Sequence, residues 1–317
     1  MPQLTLTGPP LLPPLLARGA LLSPCKSRRL PRTAARHGDG TDSTVDRLDR
    51  LVLPGVRIDL AHLAAYERVC GFPTGEDAVP LTYPHVLGFP LAMRIMSGRD
   101  FPLPLLGLVH TSIEITRRRR LPATGEYELT VYVDGLTPHR RGTEATVVTE
   151  VRDTGGASDC DEIAWESRST YLARHRVDDA PSPADGERRP APAPLPDRPL
   201  RELQALAEWR LGADVGRRYG AVSGDRNPIH LHPLGARLFG FPRAIAHGMW
   251  TVARCLAEHG TPPAALVRAE FRAPVPLPST VAYAADGRPG GDFELRGADR
   301  KGGQRTHVTG SVYPLLQ

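Results

Sequence analysis

The stretch "YGAVSGDRNPIHLHPLGARLFGFPRAIAHGMW", residues 219–250, places Ser223, Asp225, Asn227, His230 and His232 within ten positions and ends at His247 and Gly248. A histidine-bearing loop, a metal site and an acid–base centre could each be built from these residue types. Gly224 permits a sharp turn, and Pro228 keeps "DRNP" from continuing a preceding helix. Asp225 and His230 therefore stand on irregular backbone, able to converge on one point. A carboxylate can orient an imidazole and hold its protonation poise, while the ring moves protons near neutral pH. Asn227 can fix the loop through its own backbone or orient a polar group of a substrate.

Downstream, "IAHGMWTVARCL" has the apolar spacing of a helix, with Gly248 near its start. Unpaired N–H groups there point outward with the positive end of the helix dipole. Glycine lets a ligand oxygen approach closely, which suits an N–H that polarises a carbonyl. Other readings stay open. Asp225 could serve only an Asx turn. His230 and His232 could ligate a metal, although no third cluster of Cys, His or Asp stands nearby. His247 could be a histidine satisfied within the fold, bracing the loop.

The same pattern occurs twice along the chain. "IDLAHLAAYERVCGFP" predicts a helix with Tyr66 and a turn at Gly71, and "LQALAEWRLGADVGRRYGAVSGD" predicts another with Tyr219 and Gly224. "YPHVLGFPLAMRIM" then parallels "IAHGMWTVARCL", with His85 and His247 in equivalent places. Alternating β-type segments follow in each half: "LVHTSIEITRRRRLPATGEYELTVYV", "TEATVVTEVRD" and "AWESRSTYLAR" in the first, "ALVRAEFRAPVPLPSTVAYAAD", "DFELRGAD" and "THVTGSVYPL" in the second. A long helix that is apolar on most faces needs wrapping, and a curved antiparallel sheet can wrap it, so the fold class is α+β. Residues 175–200 hold seven prolines and form a linker. The expected organisation is a flexible N-terminal extension at 1–45, a first domain at 46–174, the linker, and a second domain at 201–317.

Composition bounds the rest. Of 317 residues, 40% are hydrophobic and 24% charged, which is ordinary globular usage. No apolar run reaches membrane-spanning length, and Pro13 and Pro14 break "LLPPLLARGALL". The 40 basic residues include only Lys26 and Lys301 as lysines, so the +5 net charge reflects arginine usage and is no argument for nucleic acid. Arg117 to Arg120 form either a solvated strand end or a phosphate-binding patch, and "HRRG" at 139–142 is a second candidate for phosphate. Four scattered cysteines give no disulfide framework or CxxC pair, which points to the cytoplasm.

The opening stretch resembles the MaoC-like dehydratases, the (R)-specific enoyl-thioester hydratases of the hydratase 2 type. The match runs through Tyr219, Ser223, Gly224, Asp225, Asn227, Pro228, Ile229, His230, Ala236, Gly240, Phe241, Ile245, His247, Gly248 and Met249, and continues at "FRAPV", 271–275. The layout of a degenerate first half before a motif-bearing second half resembles the double hot-dog dehydratases of (3R)-hydroxyacyl thioesters. The resemblance implies a sheet wrapped round a long helix in each half, joined edge to edge. It implies Asp225 and His230 as the catalytic pair and the Gly248 N–H as oxyanion donor. Asn227, Ser223, His247, Ile245 and Phe241 would surround the substrate. No metal or redox cofactor is implied. The substrate would be an acyl-CoA or acyl carrier protein thioester, handled by a monomeric pseudo-dimer or a homodimer with no nucleic-acid or membrane partner.

Two departures stand out. Position 232 is His where the family often has Asp or Asn. The first half reads "VCGFPTGEDAVPLTYPH" and has no D-x-N-P-x-H, so it is expected to supply scaffold and a slot for the acyl tail. Competing functions are a non-catalytic acyl-thioester-binding hot-dog subunit and a thioesterase. The latter usually needs a carboxylate on the long helix, which here has only Glu258 about three turns along.

Overall fold

The computed structural model describes residues 1–28, 30, 44–155, 162–176, 203–287, 290–299 and 302–316. The linker expected at 175–200 lies outside them except for His175 and Arg176. The chain begins with β1 (Gln3–Thr5) and α1 (Leu12–Ser27). The first half follows as β2 (Arg50–Arg57), α2 (Leu60–Cys70), α3 (Tyr83–Met96), β3 (Leu108–Arg117), β4 (Glu126–His139), β5 (Gly142–Asp153) and β6 (Ile163–Arg174). The second half is β7 (Gln204–Leu211), α4 (Val215–Ser223), α5 (Pro228–Leu231), α6 (Pro233–Leu238), α7 (Gly248–His259), β8 (Ala265–Phe271), β9 (Ser279–Ala285), β10 (Gly291–Ala298) and β11 (Gln304–Pro314).

All these strands share one sheet in the order β1-β2-β4-β5-β6-β3-β8-β11-β10-β9-β7. Counted from β2 and from β7, each half has its five strands in the order first, third, fourth, fifth, second. The two second strands, β3 and β8, pair antiparallel from Ser112↔Glu270 to Arg117↔Ala265 and close the seam. Joining the halves there removes two free sheet edges. Arg268 Nε donates to Glu114 Oε2 across it at 2.6 Å, but both side chains are partly exposed and the pair contributes about 0–1 kcal/mol. The stronger hold is apolar: Ile113, Ile115, Ala265, Val267 and Ala269 are all buried along these strands. This is a double hot-dog in the α+β class.

Each half positions its helices by the same local devices. Asp59 caps α2 by accepting from the N–H groups of Ala61 and His62, and Gly71 ends it at φ 83°. Gly224 ends α4 in the same left-handed way, at φ 75°. Tyr66 and Tyr219 come five residues before these glycines and meet across the molecule, 6.2 Å between ring centroids. Tyr66 shares a 2.7 Å hydrogen bond with Thr82 Oγ1, just before α3, while Tyr219 packs on His247, just before α7. Thr82 is therefore the counterpart of His247. His85 lies inside α3, and the equivalence expected from sequence is off by one helical turn.

Three other expectations change. The segment "QALAEWRL" forms strand β7, and helix α4 starts only at Val215. Its Ala, Leu and Glu are good helix formers, but pairing with β9 overrides that preference. The extension at 1–45, expected to be flexible, is folded over residues 3–27: β1 pairs parallel with β2, and α1 packs along α3. Two of its basic residues, Arg18 and Lys26, have partners at the end of α3. Lys26 Nζ donates to the carbonyls of Gly98 (2.7 Å) and Met96 (3.4 Å), and Arg18 donates to the Arg94 carbonyl and Ser97 Oγ. Cations there complement the negative end of the helix dipole, and burial pulls Lys26 down to about 8. Pro13 sits in the first turn of α1, where a proline is tolerated.

Finally, the Arg117–Arg120 run is neither a solvated end nor a phosphate patch at its first member. Arg117 is buried and donates to the carbonyls of Pro262 and Pro263 and to Thr261 Oγ1, tying β3 to the loop after α7. Arg119 pairs with Asp153 at 2.8 Å. The "HRRG" segment forms the hairpin tip between β4 and β5.

Candidate active site

The loop after α4 is a staircase of side chains that each accept from the backbone N–H two residues on. Ser223 Oγ accepts from Asp225 N (3.2 Å), Asp225 Oδ1 from Asn227 N (3.1 Å), and Asn227 Oδ1 from Ile229 N (3.3 Å). His232 Nδ1 extends the rule by accepting from Leu234 N at 3.2 Å. These are Asx-type turns, which explains the residue types in the motif. The departure at position 232 is thereby resolved, because the His232 ring nitrogen caps α6 as an Asp or Asn oxygen would. His232 is exposed and stands outside the site.

The staircase lies flat on α4 because that helix has a glycine face. A Cβ at Gly220 would stand 2.9 Å from the Asp225 carbonyl oxygen, and one at Gly216 would collide with the His230 carbonyl. Gly216, Gly220 and Gly224 recur every four residues, the spacing of one helical face. Sequence reading used only the last of the three. Their spacing was the available signal.

Asp225, His230 and His247 converge, with one side-chain donor atom from each within 4.8 Å of the others. His230 Nδ1 lies 2.8 Å from the Ile245 carbonyl. A carbonyl only accepts, so Nδ1 carries the hydrogen and Nε2 presents a lone pair. Ile245 thus enters the site through its backbone. His247 Nε2 likewise donates to the Asp225 carbonyl at 2.9 Å. The two rings stack with centroids 3.7 Å apart. Burial lowers the pKa of both, against the pull of Asp225, and His247 falls to about 3 under burial and its His230 neighbour. His247 is therefore neutral, and its 3.8 Å approach to Asp225 Oδ2 is no ion pair. The Asp225 side chain remains 31% exposed, so the pair opens to ligand.

His247 Nε2 is taken up by its hydrogen bond to the Asp225 carbonyl, while His247 Nδ1 is buried with no hydrogen-bond partner among the described residues.

Gly248 opens α7, whose N-cap, His247, gives no side-chain hydrogen bond to the first turn. The free N–H groups there remain available to a ligand oxygen. The ring of Phe271 lies against Gly248, and an added Cβ would stand 2.8 Å from it. The Phe241 N–H donates to the Ala236 carbonyl and closes α6 beside Gly240 at φ 82°.

The first half supplies a wall of which sequence reading singled out His85 but not His110 or Tyr171. His110 on β3 stacks on its strand partner Tyr171 (4.5 Å between centroids) and touches Phe271 (4.8 Å), with His85 of α3 beyond it at 6.1 Å. Burial drives His85 down to about 4 and His110 to about 3, and raises Tyr171. The charge of Asp225 acts on both His85 and Tyr171. Leu12 of α1 and Phe89 of α3 close on Gly224. His85, His110 and Tyr171 meet within the first half through the β3–β6 pairing, and Phe271 joins them across the seam.

Known proteins resemble this chain in sequence and fold. The MaoC like domain family matches residues 198–287. The 3-hydroxyacyl-thioester dehydratase X of Mycobacterium tuberculosis is 37% identical over 284 residues, 87% of this chain and 94% of that protein. A crystal structure of HtdX from the same organism superposes with TM-score 0.68 at 34% identity, over 84% of this chain and 100% of that one. A MaoC-like dehydratase from Phytophthora capsici shares the fold at 16% identity, with TM-score 0.65 over 86% of this chain and 97% of that one. With its fold repeated in both halves and a relative matched along nearly its whole length, the chain belongs to the MaoC-like dehydratase family.

Proposed function

We propose that the protein dehydrates (3R)-hydroxyacyl thioesters to trans-2-enoyl thioesters, and runs the hydration in reverse, with Asp225 and His230 as the acid–base pair. The observation that carries this reading is the His230 tautomer. Ile245 holds the hydrogen on Nδ1, so Nε2 faces Asp225 as a neutral base. The thioester oxygen is received by the Gly248 N–H at the open start of α7, which stabilises the enolate-like charge that grows as C2 loses its proton. A carboxylate and a neutral ring hold no proton to give. The proton taken from C2 therefore supplies the one that leaves with the 3-hydroxyl as water, and the pair ends as it began.

His247 is a positioning residue: it anchors the Asp225 carbonyl and stacks under His230. Asn227 and Ser223 hold the loop. The first half has no counterpart of the pair and contributes His85, His110 and Tyr171 to the cleft, giving one active site per chain. The β3–β8 seam makes the single chain a pseudo-dimer. Among the described residues no helix is long and apolar enough to cross a membrane. Cys25, Cys70 and Cys255 are free thiols, in keeping with a cytoplasmic place.

Initial rates across C4 to C16 enoyl-CoA substrates, with chiral analysis of the product, test the reading. Formation of (3R)-hydroxyacyl-CoA is expected. Thioester binding without water addition would instead make the protein a non-catalytic acyl-binding subunit.

A further inference from the structure

Helix α1 belongs to neither repeat of the fold, yet its first turn touches the acid–base loop. Its inward side runs through Leu12, Leu15, Leu16, Gly19, Ser23 and Lys26, the three- and four-residue spacing of one helical face. The later turns are pinned to the first half. A Cβ at Gly19 would collide with the Leu105 side chain and stand 3.2 Å from Ser97 Cβ. Ser23 Oγ accepts from the Leu106 N–H at 2.9 Å and donates to the Gly19 carbonyl at 2.6 Å. Lys26 and Arg18 reach the end of α3. The first turn is different. Pro13 and Pro14 have no N–H to donate, and Leu12 makes its contact through carbon alone. Leu12 Cδ1 lies where a Cβ added to Gly224 would collide with it, and Phe89 Cδ1 stands 3.9 Å from the same position. From Lys26 back to Leu12 the helix spans about 21 Å.

Gly224 is the joint next to Asp225. It holds φ 75°, and a glycine can leave that conformation at little cost unless its surroundings keep it there. The staircase bonds join residues two apart and fix the shape of the loop, while Gly220 and His247 engage the Asp225 carbonyl. Leu12 and Phe89 supply what packs on Gly224 itself, and both remain partly exposed. Misplacing a reacting group by about 1 Å can cost on the order of 10² in rate.

We infer that Leu12 is a positioning residue for Asp225: α1 is a strap, pinned at its far end, whose first turn holds the Gly224 joint and thereby sets the place of the carboxylate. This rests on the dehydratase reading above.

The test uses the full chain with Leu12→Ala, Leu12→Met and, as a control, Leu22→Ala, which trims another half-buried leucine of α1 well away from Gly224. In steady-state hydration of an enoyl-CoA substrate, Leu12→Ala is expected to lower kcat roughly tenfold with KM within about twofold. Leu12→Met keeps the volume and should recover to within about threefold of wild type, as should Leu22→Ala. In the Asp225→Asn background Leu12→Ala should cost less than about twofold, because the carboxylate that it positions is gone. A role in stability alone would leave kcat per folded molecule unchanged. A kcat loss under about threefold in Leu12→Ala, an equal loss in Leu12→Met or Leu22→Ala, or the same loss in both backgrounds overturns the strap.

Hydrogen exchange over residues 222–231, read by mass spectrometry, keeps the two readings apart. If the wild-type chain turns over no enoyl-CoA substrate, the dehydratase reading fails. The strap still stands if Leu12→Ala speeds exchange of that loop at least about fivefold over wild type while Leu22→Ala does not, and falls otherwise.

Discussion

The imidazoles of His230 and His247 lie face to face, 3.7 Å between centroids and 27° from parallel, and each donates to a backbone carbonyl. Protonating both rings would put two positive charges face to face, so the pair takes up at most one extra proton. The stack thereby fixes both the tautomer and the neutral resting form of the base.

Removing either member of the acid–base pair should cost activity without unfolding the chain. Asp225→Asn keeps an acceptor for the Asn227 N–H and hence the turn, while losing the carboxylate. His230→Ala loses Nε2. Each is expected to lower kcat by about 10²–10⁴-fold, with melting temperature by circular dichroism close to wild type for Asp225→Asn.

His247 should separate positioning from chemistry. His247→Leu strands the Asp225 carbonyl, a loss on the order of 1–3 kcal/mol for a buried unpaired group. His247→Gln restores a donor. Recovery of kcat in the Gln variant, with KM little changed in both, is the expected pattern in steady-state kinetics.

Two glycines should be intolerant of alanine for reasons unrelated to helix propensity. Gly220→Ala pushes on the Asp225 carbonyl, and Gly248→Ala pushes on the Phe271 ring. Alanine improves a helix interior by roughly 1 kcal/mol, so the variants should fold yet lose at least tenfold in kcat/KM. Phe271→Leu is expected to rescue Gly248→Ala in part and leave Gly220→Ala unrescued, because only the former clash involves that ring.

Acid should destabilise the protein through its buried rings. His247 and His110 titrate near 3 and His85 near 4 in the folded chain, against about 6.5 unfolded. Below pH 6.5 the unfolded chain binds protons that the folded rings refuse, so stability falls as pH drops towards 3. Above 6.5 these groups contribute no slope. Each ring adds up to about 1.4 kcal/mol per pH unit. Urea unfolding from pH 7 to 4.5 should show this slope, reduced in His247→Gln.

The staircase from Ser223 to Ile229 was legible in sequence because each step joins residues two apart, and turn chemistry alone demands Ser, Asp and Asn there. The αL glycines 71 and 224 and the two long apolar helices were legible for the same local reason. β7 was not, since its Ala, Leu and Glu favour a helix until β9 offers a partner. The N-terminal extension was not either. Its Lys26 and Arg18 find their acceptors some seventy to eighty residues away, at the end of α3.

The sequence by itself thus determined a repeated helix–sheet plan and the acid–base loop, whose shape follows from bonds between near neighbours. Only the tertiary structure decided what faces that loop: the stacking of His247 under His230, and the wall of His85, His110 and Tyr171 brought from the first half. The wall meets the second half through residues far apart in the chain, such as His110 and Phe271. Such contacts exist because β3 and β8 pair at the seam and carry two helices to one cleft, an outcome set by packing of both sheets together and by no local preference.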